Sequence, residues 1–166
     1  MSPKKIEFNN GETVVYPKHG VGEIVKIESM EIASIKTMFY VVKMEQSKLT
    51  IRVPIEKKEE VGLRKISSKT IINEVYEVLK LKPKIRRIMW SRRAQEYDTK
   101  IFSGDPIKIA EVVRDLFRKN TQAEQSYSER QMFQIAIERL ARELAAVEKT
   151  DYFQSTEKIE SILRNK

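Results

Sequence analysis

Over the first third of this chain, hydrophobic and polar positions alternate in short runs; beyond Ser67-Ser68 they change to a longer period. From Gly11 the residues read Gly11-Glu-Thr-Val-Val-Tyr-Pro-Lys-His-Gly20, then Val21-Gly-Glu-Ile-Val-Lys-Ile-Glu28. β-Branched residues broken by Gly and Pro in this way read as strand, turn, strand. Val21, Glu23, Val25 and Ile27 against Gly22, Ile24, Lys26 and Glu28 alternate imperfectly, as in a strand that bends from one face to another. Phe39-Tyr-Val-Val-Lys-Met44 and Leu49-Thr-Ile-Arg-Val-Pro54 continue the pattern, separated by the polar turn Glu45-Gln46-Ser47-Lys48. The pattern predicts four or five short antiparallel strands over residues 8–66, and a sheet this short is expected to curl into a small Tudor/SH3-like β-barrel. Pro17 and Gly20 bracket Lys18 and His19 in a tight turn, and Gly22 permits a close backbone approach or a bulge.

The second segment has helical spacing. Ile71, Val75 and Val78, with Ile72 and Leu79, form one stripe, which Pro83 breaks. A second helix runs through Phe102 and stops at Ser103-Gly104, and Asp105-Pro106 restarts the chain as N-cap and first helical residue. Ile109, Val113 and Leu116 carry a third helix to about Lys119. Ser128-Glu-Arg-Gln131 reads as a capping box ahead of Phe133, Ile137, Leu140, Leu144 and Val147. A shorter helix beginning near Ser155 uses Ile159, Ile162 and Leu163. The fold class is therefore α+β: an N-terminal barrel followed by a bundle of four to five α-helices over residues 69–165.

Composition narrows the chemistry. The 166 residues are 40% hydrophobic and 34% charged, as in a soluble globular protein. With no cysteine and one histidine there is no thiolate metal site, cysteine nucleophile or histidine-based zinc or triad constellation. Gly20-Val-Gly22 lacks the rest of a phosphate loop, and Glu59-Glu60 sits in a charged run that reads as a solvated turn. Neither an enzyme nor a cofactor is indicated. No run approaches the roughly 20 apolar residues of a spanning helix, so a cytoplasmic location is expected. A net charge of +8 favours a polyanionic partner, nucleic acid before membrane.

That charge concentrates in residues 80–93, where Lys80, Lys82, Lys84, Arg86, Arg87, Arg92 and Arg93 occur without one acidic residue, beside the only tryptophan, Trp90. Clustered cations displace counterions from phosphates, and a flat ring supplies apolar contact. Spacing alone argues otherwise for the ring, because Trp90, Ala94, Tyr97 and Ile101 share one helical face, as core residues do. The surrounding Arg86, Arg87 and Arg93 argue for exposure. Periodicity leaves both open. Arg52, between Ile51 and Val53, alternates to the outer face of the sheet, near Lys43 or Lys48 if these strands pair as predicted; such a position suits either a solvated arginine or an interface anchor.

Taken in order, Gly11-Glu-Thr-Val-Val-Tyr-Pro-Lys-His-Gly20, Leu49-Thr-Ile-Arg-Val-Pro54, Trp90-Ser-Arg-Arg93, Ser103-Gly-Asp-Pro106 and Ala110-Glu-Val-Val-Arg-Asp-Leu116 resemble the CarD/CdnL family of bacterial RNA polymerase-binding transcription regulators. The first segment is also similar to the polymerase-interacting module of the transcription-repair coupling factor. The resemblance implies a Tudor-like domain docking on the polymerase β subunit and a helical domain contacting promoter DNA at the upstream edge of the melted region, without catalysis. It implies that Arg52, with Ile32 as the apolar part, contacts polymerase, and that Trp90 is an exposed minor-groove wedge flanked by phosphate-binding Arg92 and Arg93. Lys18 and Met30 depart from a histidine and an arginine of some family members, which bears on the polymerase contact, while Met89 and Ala94-Gln95 depart around the tryptophan, which shifts the expected DNA contact toward Arg86 and Arg87. The protein is expected to act as a monomer that stabilises the open complex. An RNA- or ribosome-associated basic adaptor is the alternative from another class.

Overall fold

The computed structural model describes residues 6–118 and 126–166. The chain divides into two units, Met1–Ile66 and Ser67–Lys166, where the hydrophobic period changes.

In the first unit, β1 (Thr13–Tyr16), β2 (Gly20–Ile32), β3 (Ile35–Met44), β4 (Thr50–Pro54) and β5 (Arg64–Lys65) form one antiparallel sheet of order β4-β3-β2-β1-β5. A 3-10 turn (Ile55–Lys57) and the one-turn helix α1 (Lys58–Val61) join β4 to β5. The sheet is open, with β4 and β5 as its two ends, rather than the closed barrel expected from the sequence. With only two residues, β5 offers too short a ladder to zip onto β4. Val14, Ile24, Tyr40, Val42, Met44 and Val53 make the core with Phe8, Ile55 and Leu63.

Gly22 permits a close approach: a Cβ there would lie 2.9 Å from Val42 Cγ1 and 3.0 Å from Met44 Sδ. The bulge falls two residues on, between Ile24 and Lys26, and reverses the facing of the rest of β2. Ile24 and Ile27 both reach the core, and Lys26, Glu28, Met30 and Ile32 come to share the opposite face. Glu59 and Glu60 are exposed as their charged run suggests, whereas Lys58 in the same run is half-buried. Its ammonium pairs with Glu7 and lies 5.2 Å from the centroid of the Phe8 ring.

The second unit packs α2 (Lys69–Lys80), α3 (Trp90–Phe102), α4 (Pro106–Leu116), α5 (Tyr127–Glu148) and α6 (Tyr152–Arg164). Its core contains Ile72, Val75, Leu79, Ile101, Ile109, Val113, Leu116, Ile137, Leu140, Leu144, Ile159 and Leu163, close to the stripes in the sequence. Gly104 takes the left-handed conformation (φ 74°) that ends α3, and Asp105 caps α4 by accepting from Ile107 N–H at 2.9 Å. The cap of α5 is displaced from its expected place. Ser126 Oγ accepts from Glu129 N–H at 3.2 Å and contacts the Glu129 carboxylate at 3.4 Å, so the N-cap is Ser126, with Glu129 three residues on, and not Ser128. Helix α6 starts at Tyr152 behind the Asp151 cap rather than near Ser155. Helix α4 ends at Leu116; Lys119, its expected end, lies outside the described residues.

Polar contacts pin the bundle at buried points. Glu143 accepts from the Ser67 N–H at 2.9 Å and from its hydroxyl at 2.7 Å. Tyr76 donates to Glu148, which also holds Lys158 at 3.0 Å; burial first, and then this carboxylate, push the Tyr76 phenol well above its usual range. Among the described residues no helix is long and apolar enough to cross a membrane.

Candidate functional site

The basic segment spans the end of α2, the connection over residues 81–89 and the first turn of α3. Helix α2 stops at Lys80 because Pro83 cannot continue it, and residues 81–89 run on as irregular, largely exposed chain to the start of α3 at Trp90. Their course is fixed from within the bundle. Asp115 on α4, whose side chain is 5% exposed, accepts from the backbone N–H of Lys84 at 2.9 Å and from Arg114 Nε at 2.8 Å. A buried carboxylate thus satisfies an isolated loop amide and a buried guanidinium together, which offsets the desolvation of all three groups.

The cations of the segment are held in three ways. Lys80 pairs with Glu77 at 3.1 Å, and Arg86 pairs with Glu96. Arg87 and Arg92 are exposed and make no ion pair with the described residues. Arg93 is half-buried and turned inward: its guanidinium carbon lies 5.4 Å from the Trp90 ring centroid and 5.7 Å from that of Tyr97, and Nη2 donates to the Tyr97 hydroxyl at 3.2 Å. Its Nε is buried without a hydrogen-bond acceptor.

Trp90 falls between the two readings of its spacing. The ring is half-buried, packs on the edge of the helical core, and lies 6.1 Å from the buried Tyr97 ring at 48°. Its Nε1–H donates to Ser128 Oγ at 3.2 Å, across 38 residues. Neighbouring Met89 is 75% exposed, so the ring sits at a boundary between packed core and open surface. Tyr97 shares the helical face of Trp90 as its spacing predicts, but sequence reasoning missed Ser128 and Asp115 as parts of this site. Ser128 carried a signal, and that signal was read as a helix cap.

In the sheet unit the register pairs Arg52 with Val41 and Lys43 with Thr50, so Arg52 has Lys43 as a diagonal neighbour on the outer face, as expected. It faces Glu28, its Nε 3.3 Å from the carboxylate, which also attracts Lys26 at 3.7 Å. Ile32 lies on the same face, at the far end of the β2–β3 hairpin and opposite Ile35. Six residues of β2 separate it from the row of Arg52, about 20 Å at ~3.3 Å per residue. Ile32 is 50% exposed and Ile35 68%, with Met30 also exposed, which makes an apolar tip on a ribbon that β1 and β4 do not flank. His19 is an exposed turn residue stacked on Tyr16, ring centroids 5.6 Å apart.

Comparison with known proteins covers both units. The family described as "CarD-like/TRCF RID domain" matches residues 8–67, and that described as "CarD, C-terminal domain" matches residues 74–160. A Bacillus subtilis (strain 168) protein named "Putative transcription factor YdeB" is 31% identical over 140 residues, 84% of this chain and 92% of that one. The solved structure "CdnLNt from Myxoccoccus xanthus" is 38% identical and covers 41% of this chain and 96% of its own, with a TM-score of 0.33. With both of its units matched in order and a relative spanning most of its length, the chain belongs to the CarD/CdnL family of transcription regulators.

Proposed function

We propose that this regulator binds the β subunit of RNA polymerase through the outer face of its sheet and presents residues 80–93, with Trp90, to promoter DNA at the upstream edge of the melted region. It works there as a monomeric tether with no catalytic step, and its effect is to prolong the open complex. The observation that carries the reading is the boundary position of Trp90, a large ring at the end of an exposed segment whose Arg87 and Arg92 are uncommitted to any carboxylate among the described residues. An aromatic edge at a distorted base step replaces stacking that the bases lose, and flanking cations hold phosphates without reading sequence. Arg86 joins them on release from Glu96, because an exposed ion pair is worth only about 0–1 kcal/mol.

For polymerase, the support is the shared face of Arg52, Glu28, Met30 and Ile32, together with β4 as a sheet end. An arginine and an apolar tip at two points of one face can anchor a partner that spans both, and an edge strand accepts a further strand from a partner. Tethering raises the local concentration of the basic segment at DNA, so a weak DNA contact still shifts the closed-to-open equilibrium. The test is open-complex lifetime with purified polymerase. A longer lifetime with the protein present is expected, and equal lifetimes would end the reading.

A further inference from the structure

We infer that Arg93 and Ser128 are positioning residues that mount the Trp90 indole, and that Arg93 is not a phosphate contact; this rests on the proposed entry of Trp90 into DNA. Trp90 is the first residue of α3, and the N-cap Met89 makes no side-chain hydrogen bond, so the local helix end does little to restrain the ring. Restraint comes from two other places. On one side Ser128, in the first turn of α5, takes the indole N–H at 3.2 Å. Its hydroxyl has this freedom because Ser126 does the capping. On the other side the Arg93 guanidinium, one turn along α3, lies within cation–π reach of both the Trp90 and Tyr97 rings. Tyr97 is 6% exposed and belongs to the core, so it provides the fixed end.

The way Arg93 is held separates it from its neighbour. Arg92 is exposed and unpaired among the described residues, as a phosphate-seeking arginine should be. Arg93 has a buried Nε without an acceptor and spends Nη2 on the Tyr97 hydroxyl. Its guanidinium touches both rings from one side and bridges them, 5.4 Å and 5.7 Å from their centroids, and lysine offers no planar group for this. An indole held in this way meets DNA with its N–H already engaged. It acts as an apolar edge indifferent to base identity, and it loses little rotamer freedom on entry.

Because Trp90 is the only tryptophan, its fluorescence anisotropy decay reports this ring alone. The full-length variants Ser128→Ala and Arg93→Lys are compared with wild type and with Trp90→Ala. Expected in both mounting variants are a larger amplitude of fast ring motion, an unchanged thermal midpoint for Ser128→Ala, and an open-complex lifetime shortened about two- to tenfold, the cost of one rotamer-rich side chain that must be ordered on binding. Unchanged ring motion in both variants would overturn the mount, as would looser rings with wild-type lifetimes. An Arg93→Gln variant that flattens the salt dependence of DNA binding, while Arg93→Lys keeps a rigid ring, would return Arg93 to the phosphates. If Trp90→Ala itself leaves the lifetime unaltered, the DNA reading fails, and the anisotropy of the two mounting variants still decides whether the ring is mounted.

Discussion

Arg52 in the sheet unit and Arg93 in the helical unit both looked like interface residues, yet the two units hold them by opposite means. Arg52 reaches across the outer face to Glu28, a partner that is itself partly exposed and already shared with Lys26. Arg93 lies against two aromatic rings with one nitrogen sealed from any acceptor. A guanidinium resting on a surface carboxylate can be transferred to a better carboxylate at little cost, since such pairs contribute roughly 0–1 kcal/mol. One laid against a buried tyrosine and a half-buried tryptophan is committed to its own fold. What holds an arginine in the free protein therefore says more about its use than its exposure does.

The largest effect that would break or sharpen this contrast is at the ring Arg93 touches. Trp90→Ala is expected to remove most of the open-complex stabilisation while polymerase binding persists. Its stability cost should be about 1–3 kcal/mol, below the ~3–5 kcal/mol of a fully buried tryptophan because the ring is half-buried. Urea unfolding followed by circular dichroism, alongside open-complex lifetime, gives both numbers. A cost at the full-core level with a normal lifetime would make Trp90 purely structural.

Arg52→Glu comes next, with at least a tenfold loss of polymerase affinity and an intact fold, since like charges set opposite each other across an interface cost several kcal/mol. Adding Glu28→Lys restores the internal ion pair in reversed order. Affinity in a pull-down with purified β subunit should stay low in the double variant. Its recovery would mean that Arg52 serves the sheet and not the partner.

Smaller again is the salt slope of free-DNA binding. Arg87→Gln with Arg92→Gln should flatten the plot of log K against log salt by about 2, near 0.9 for each phosphate contact, similarly on unrelated sequences. Arg93→Gln should leave the slope nearly unchanged. An equal flattening from Arg93 would erase the contrast between the two kinds of arginine. The smallest effect belongs to Glu96→Gln, which frees Arg86 and should tighten DNA binding by a few-fold at low salt, read by fluorescence titration.

The helices were largely legible because their signals are local. Asp105-Pro106 marks the start of α4 without reference to anything distant, and Ile137, Leu140 and Leu144 fall on the buried face that their spacing demands. The α5 cap slipped by two residues because Ser126-Tyr-Ser-Glu129 and Ser128-Glu-Arg-Gln131 both satisfy the same capping pattern, and sequence alone does not choose between them. The choice matters for the site, since the serine that does not cap is the one that meets the indole.

In the sheet, the bulge between Ile24 and Lys26 was visible only as imperfect alternation. Its consequence, bringing Glu28 to the face of Arg52, depends on which strands pair and in which register. Closure of the barrel failed for a similar reason: the length of β5 follows from what the chain does after α1, and no periodicity records that. The bond from Trp90 to Ser128 and the bond from Lys84 to Asp115 join residues 38 and 31 positions apart, and neither leaves a pattern along the chain.

The anchor at Asp115 has a consequence for how this loop can change. It grips a main-chain N–H and is blind to the side chain at position 84, so every residue type except proline can satisfy it. The loop is thereby free to exchange lysine for arginine or to redistribute its cations without losing its path. Insertions and deletions are another matter. Position 84 is pinned to α4 and position 90 to the start of α3, so a residue added or removed between them must be absorbed within a few bonds. Substitution is cheap there and a change of length is costly, the reverse of the usual tolerance of surface loops.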